Sequence, residues 1–236
     1  WIKFMAEIIP AIMPRNYEDL KNRVALVRGI VPLVQIDICD GVFVKNQTWP
    51  YDEMDNDTSN FNRIMDEQEG MPFWEDIDFE LDLMVTDAVE NLATYMKLGP
   101  KRIVFHIEAI GNISEFKDFL EGLDTYIRDT VQIGVAINTT TPVESIFPLV
   151  NHVDFVQCMG IEHIGFQGEG FDEKVLEHIK TLKEKYPDII ISVDGSVNFD
   201  TAPDLIDAGA ERLVIGSAIF KSNDIKETVN MFESLE

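Results

Sequence analysis

Two acids in this chain stand where acids are costly. Asp37 lies inside the apolar run Val34-Gln35-Ile36-Asp37-Ile38-Cys39, which ends in Asp40-Gly41, and Asp194 closes the β-branched run Ile189-Ile190-Ile191-Ser192-Val193 before Gly195-Ser196. Desolvating an unpaired carboxylate costs several kcal/mol, so an acid at the end of a buried strand has a partner or a task. Alone, Asp37 reads as a strand-end acid accepting backbone amides, but Asp194 duplicates its context. We therefore expect the two carboxyl groups to face one another across a single site. Acids crowded in this way either keep a proton at neutral pH or share a cation.

A second set of residues has anion chemistry. Gly165-Phe166-Gln167-Gly168, Gly195-Ser196 and Gly216-Ser217 are three small-residue stretches late in the chain. Glycines let backbone N–H groups approach an anion, so a phosphate can be held there without Lys or Arg.

The elements that must position these residues follow from hydrophobic periodicity. Eight short β-rich runs are expected, at Glu7–Ile12, Leu33–Ile38, Phe79–Met84, Arg102–Ile107, Gln132–Ile137, Val153–Met159, Asp188–Val193 and Arg212–Ile215. Between them, apolar residues at three-to-four spacing predict helices over Tyr17–Val27, Ala88–Leu98, Ile113–Ile127, Asp172–Lys185, Thr201–Ala208 and Ile225–Leu235, with weaker ones at Thr58–Asp66 and Val143–Leu149. Strand and helix alternating in units of about thirty residues fit a closed parallel (βα)8 TIM barrel better than an open sheet. In such a barrel the C-terminal rim carries the chemistry, and Asp37, Asp82, Asn138, Met159, Asp194 and Gly216 all fall at strand C-termini. Gly99 and Gly209 are expected to end helices as left-handed caps. No linker-like stretch interrupts the pattern, so residues 1–236 read as one domain, with an extended acidic βα loop at about 46–78. That loop, carrying Asp52, Glu53, Asp55, Asp57 and Glu75, reads as a solvated insertion or a lid.

Composition excludes some functions. With 43 acidic against 19 basic residues and a net charge of −24, the chain lacks the basic patch that nucleic acid or an anionic membrane would require. No run approaches the ~18 apolar residues of a membrane span, and Trp1-Ile2-Lys3-Phe4 begins no secretory apolar segment. The two cysteines, Cys39 and Cys158, are expected as free buried thiols. A cytoplasmic location is the expectation.

In this order the segments resemble the ribulose-phosphate 3-epimerase family from Ile9 to Phe220. The matching stretches are Pro10-Ala11-Ile12-Met13, Asp37-Ile38-Cys39-Asp40-Gly41-Val42-Phe43-Val44-Lys45-Asn46, Asp82-Leu83-Met84-Val85, His106-Ile107-Glu108-Ala109 and Ala136-Ile137-Asn138-Thr139-Thr140-Thr141-Pro142. Met159, Gly165-Phe166-Gln167-Gly168-Glu169, Val193-Asp194-Gly195-Ser196 and Gly216-Ser217-Ala218-Ile219-Phe220 complete them. The resemblance implies an isomerase that inverts the carbon beside the ketone of a small phosphorylated sugar, with Asp37 and Asp194 as the acid/base pair. It implies Met84 and Met159 at the pocket floor, and phosphate held by Gly165, Gly168, Gly195, Ser196, Gly216 and Ser217. A homo-oligomer and no organic cofactor are further implications.

The departures from the family pattern cluster at the reacting end. Gln35 and Asp82 stand where the family has two metal-binding histidines, Ala11 where it has a Ser, Cys39 for a rim Met, and Glu169 for a Gln. The corresponding ligand set for a divalent cation (Mg, Mn or Zn) would be Gln35, Asp37, Asp82 and Asp194. All four offer oxygen, which favours Mg, Mn or Ca over Zn. The alternative to a bound cation is a protonated acid, and Asp82 could equally be salt-bridged to an Arg or Lys. A barrel that binds phosphosugar but has lost or changed the epimerase activity is the alternative function. Decarboxylases of the related phosphate-binding barrels fit less well, because their Asp-x-Lys-x-x-Asp pattern is missing from Asp82-Leu83-Met84-Val85-Thr86-Asp87.

Overall fold

A computed structural model describes residues 5–51, 59–166 and 168–235. Eight strands, β1 (Glu7–Ile12), β2 (Leu33–Cys39), β3 (Asp78–Met84), β4 (Arg102–His106), β5 (Gln132–Ile137), β6 (Phe155–Met159), β7 (Ile190–Asp194) and β8 (Arg212–Ile215), close into a barrel in sequence order. Every pairing is parallel, including β1 with β8, which joins Ile8 to Leu213 and Pro10 to Ile215. The (βα)8 barrel expected from the periodicity is thus the fold observed.

Helices α1 (Tyr17–Val27), α2 (Ser59–Met65), α3 (Leu92–Met96), α4 (Ile113–Glu121), α5 (Thr125–Thr130), α6 (Lys174–Lys185), α7 (Ala202–Ala208), α8 (Ser217–Phe220) and α9 (Ile225–Glu233) follow the strands in turn. Side chains alternate across each strand. The outward set, such as Ile36, Ile38, Leu81, Leu83, Phe105, Val156, Val193 and Ile215, packs with the helices in one large apolar core. Caps fall as the sequence suggests: Asn16 accepts the Asp19 amide at the start of α1, and Gly209 ends α7 at φ 117°. Gly99 likewise takes a positive φ, of 68°.

Several helical expectations need correction. The single helix over 113–127 is two, because Gly122 caps α4 and Asp124 opens α5 by accepting the Tyr126 amide. The one over 88–98 is reduced to Leu92–Met96, since Asp87 draws Asn91 and Tyr95 onto its carboxylate and tight turns replace the first helical turn. Residues 143–149 form only a 3-10 turn over Val143–Ile146, where Pro148 removes the next donor. The short helix α8 was not anticipated. Of the acidic loop, Asp52, Glu53, Asp55 and Asp57 lie outside the described residues, as does Gln167.

The inward side chains form a barrel interior that is polar at both ends. At the N-terminal end, Arg102 donates to both carboxylate oxygens of Glu7 at 2.9 and 3.0 Å, and Arg212 approaches the same group at 3.2 Å. Both guanidinium groups also donate to Gln132 Oε1, each at 3.1 Å. Fully buried Glu80 lies 3.7 Å from Arg102. This network spans β1, β3, β4, β5 and β8 and floors the barrel. At the other end stand the acids.

Candidate active site

Strand register builds the site. Asp37 of β2 pairs with Asp82 of β3, and Met159 of β6 pairs with Asp194 of β7. Gln35 sits two residues before Asp37 and therefore on the same, inward face. Barrel closure brings β7 round to β2, so residues 159 apart in sequence meet: Gln35 Nε2 donates to Asp37 Oδ1 at 2.8 Å and to Asp194 Oδ2 at 2.8 Å. One amide nitrogen thus ties the two acids together. Oxygen atoms of Asp37, Asp82 and Asp194 all lie within 4.8 Å of one another.

Crowding of the three carboxyl groups bears on the titration of Asp37 and Asp194. Burial, then the charges of Asp194 and Asp82, push Asp37 well above the ordinary carboxylate range, against the lowering effect of the Gln35 hydrogen bond. Burial and Asp82 raise Asp194 to about 7, again opposed by Gln35. Asp82 has a different partner from the Arg or Lys entertained above: His106 Nε2, at 2.9 Å, with both side chains fully buried. Burial alone would lower the His106 pKa, but the Asp82 carboxylate reverses the sign and raises it. His106 is thus a hydrogen-bonded barrel histidine whose partner comes from the neighbouring strand β3. Glu80 was missed altogether, although its two-residue spacing from Asp82 marks it as inward.

The remaining expected residues gather round one pocket. Asp37, Asp194, Met84 and Met159 line it together with Ala11 and Met13 from the first strand and its loop. Gly165, Gly168, Gly195, Ser196, Gly216 and Ser217 line the same pocket, and among the described residues lining it none is Lys or Arg. Gln35 and Asp82 are fully buried and lie outside that lining, in contact with it through Asp37 and Asp194. The loops are tightly seated. Gly195 and Ser196 take consecutive positive φ values of 107° and 53°. The Ser196 carbonyl accepts Asn198 Nδ2 at 3.0 Å and Thr201 Oγ1 at 2.9 Å, while its hydroxyl donates to the Glu169 carbonyl. Gly160 has no room for a side chain, because a Cβ there would stand 2.2 Å from the Gly195 oxygen.

Other ties fix the rim of β2. Thr48 Oγ1 donates to the Asp37 carbonyl at 2.7 Å and accepts the Cys39 amide at 2.9 Å. Asp40 accepts the amides of Val42, Phe43 and Thr86, which hold its carboxyl below the ordinary value despite partial burial. Cys39 and Cys158 are free and buried. Arg15 is paired with Asp19 at 3.7 Å and Lys45 is exposed, away from the pocket lining.

The donor set suits a hard divalent cation. Asp82 Oδ2 and Gln35 Oε1 are buried with no hydrogen-bond partner among the described residues, and they adjoin the three-carboxylate cluster. Unpaired oxygens beside clustered negative charge are what oxygen-seeking cations neutralise.

Comparison with known proteins identifies the family. The family model "Ribulose-phosphate 3 epimerase family" matches residues 7–220. Ribulose-phosphate 3-epimerase of Bacillus subtilis is 28% identical over 232 residues, 96% of this chain and 97% of that protein. The cytoplasmic isoform of Oryza sativa is 28% identical, over 95% of this chain and 92% of its own. Among solved structures, KGPDC from Streptococcus mutans superposes with a TM-score of 0.65 at 14% identity, covering 97% of this chain and 96% of that one. A 3-hexulose-6-phosphate synthase gives 0.60 at 17%, over 97% and 98%. At such low identity the structural likenesses speak for the barrel alone. No helix among the described residues is long and apolar enough to cross a membrane. With the family match spanning all eight strands and both strand-end acids, the chain belongs to the ribulose-phosphate 3-epimerase family.

Proposed function

We propose that this chain epimerises a phosphorylated ketose, of the ribulose 5-phosphate to xylulose 5-phosphate type, by two-Asp acid/base catalysis. The observation that carries the reading is the junction of Asp37 and Asp194 through one Gln35 nitrogen, in a pocket also lined by Gly168, Gly195, Ser196, Gly216 and Ser217. Two acids with raised pKa values can divide one proton between them at neutral pH. The ionised member removes the proton next to the ketone, the protonated member returns one to the opposite face, and the direction of reaction decides which does which. Burial suits this work, because proton affinity near neutrality is what a general acid and base both require. The methionines Met84 and Met159 line the pocket with the acids and form its apolar, adaptable floor. The phosphoryl group is held by main-chain amides of the small-residue loops, which replace the basic side chains this pocket lacks.

Asp37, Asp82 and Asp194, with Gln35, would hold a divalent cation, Mg or Mn in preference to Zn. When bound, such an ion offsets negative charge growing on the substrate oxygens. His106 orients Asp82 for that purpose, in the manner of an outer partner holding a ligand. One barrel, working as a cytoplasmic homo-oligomer on a small phosphosugar, is part of the same proposal.

The test is solvent deuterium entry at C3 of ribulose 5-phosphate, followed by NMR. Absence of exchange with any ketopentose or ketohexose phosphate would overturn it. Ala11 and the acidic Glu169 within the pocket lining favour one second reading, a phosphosugar-binding barrel without this turnover. That reading expects sugar-phosphate-dependent thermal stabilisation and no exchange.

A further inference from the structure

Gln35 is fully buried and commits both hydrogens of its amide nitrogen to carboxylates. Its orientation is imposed by those acceptors, since the reverse would set an amide oxygen against Asp37 and Asp194. The consequence is an Oε1 buried without a partner among the described residues. Buried acceptors are rarely left so, and the cost is comparable to a lost hydrogen bond. The neighbouring Asp82 Oδ2 is in the same condition. Rotation about the last side-chain bond exchanges the amide nitrogen and oxygen within nearly the same volume, so Gln35 can present either atom to the acids without repacking the barrel.

We propose that Gln35 is an exchangeable clamp: its amide nitrogen ties Asp37 to Asp194 in the cation-free protein, and its oxygen turns in as a ligand when a divalent cation binds the three acids. The amide then does for the cation-free cluster part of what the ion does for the loaded one, and the barrel stays assembled without metal. A cation must displace both of these hydrogen bonds before it binds, and the single neutral amide oxygen that Gln35 then offers offsets only part of that cost, so Gln35 on balance weakens cation affinity relative to the three acids alone. The inference rests on the cation-site part of the reading above and not on turnover. Failure of sugar epimerisation therefore leaves it standing.

The test measures Mn²⁺ binding by calorimetry and thermal unfolding with and without Mn²⁺, in the absence of sugar, on the wild type, Gln35→Met and Gln35→Glu. Gln35→Met keeps the volume and removes both hydrogens and oxygen, whereas Gln35→Glu keeps oxygen and removes the hydrogens. Both variants are expected to melt below the wild type when chelated and to bind Mn²⁺ more tightly, about tenfold for Gln35→Met and more for Gln35→Glu. A residue that served only packing would shift the chelated and loaded proteins equally. Equal Mn²⁺ affinity in all three proteins, or no binding by the wild type at millimolar Mn²⁺, would overturn the proposal. Should either variant fail to fold, the wild type alone decides. In ¹⁵N-labelled protein the Gln35 side-chain amide resonances are expected to move and lose exchange protection on saturation with Mg²⁺, and unchanged resonances would overturn the clamp.

Discussion

Replacing Asp194 by Asn should make the protein more stable and less active at once. The side chains are near-isosteric, and the Asn oxygen can still accept from Gln35 Nε2, so the geometry of the tie survives. What disappears is a carboxyl group whose pKa is raised from 3.8 to about 7 by burial and by Asp82. An acid raised in the folded state contributes stability that is fully present below its unfolded pKa and is lost as pH climbs through the folded value. A rise of about three pH units at 1.36 kcal/mol each sets a ceiling of about 4 kcal/mol on the stability lost by pH 8. Asp194 is partly exposed at the pocket, so water trims this to roughly 2–4 kcal/mol, or about 4–16 °C in Tm for a domain of this size. Chelated wild type and Asp194→Asn, compared by urea and thermal unfolding at pH 8, should differ by that amount, with the difference shrinking towards pH 4. In parallel, kcat should fall by about 10²–10⁴, the usual worth of a general acid or base. A variant that is less stable than the wild type at pH 8 would mark Asp194 as a structural acid and refute the reasoning.

Two further outcomes are expected away from the acid pair. Glu80 is raised from 4.5 to about 7, mainly by burial and against the opposing pull of Arg102 and Arg212. By the same sign, the wild type should lose about 3 kcal/mol between pH 5 and pH 9 that Glu80→Gln does not lose. The attraction of ionised Glu80 to the two arginines is already contained in that folded value, so parallel pH profiles in urea titrations would show that Glu80 does not retain a proton. Gly160→Ala places a methyl 2.2 Å from the Gly195 carbonyl oxygen and must push the Gly195-Ser196 loop aside. Its KM for a phosphorylated substrate should rise about tenfold with a smaller change in kcat, at a cost of roughly 1–3 kcal/mol in stability; unchanged KM would remove that loop from phosphate binding.

Much of this architecture could be read from residue order. Strands β1, β5 and β8 begin and end where the alternation of apolar residues places them, and Asp37 and Asp194 fall at strand ends that barrel closure brings together. Lateral relations were harder. That Asp82 belongs to His106, and that Gln35 belongs to both Asp37 and Asp194, depends on strand stagger and on which neighbour a side chain leans toward, neither of which a single strand encodes. Glu80 shows a different difficulty. Its inward position follows from two-residue spacing, but an acid with no visible partner in its own segment gives no reason to expect burial, and its arginines arrive from β4 and β8. Helix ends went astray where local polar chemistry overrode periodicity, as with Asp87 before α3 and Asp124 between α4 and α5.

Among the described residues, the network of Glu7, Glu80, Arg102, Arg212 and Gln132 fills the end of the barrel opposite the acids. Because charged groups from four strands and an amide from a fifth lock that end, whatever reaches the acids has to come and go past the small-residue loops. On the proposed reading, a bound phosphosugar would stand in the exit of whatever lies beneath it, and traffic would be last in, first out.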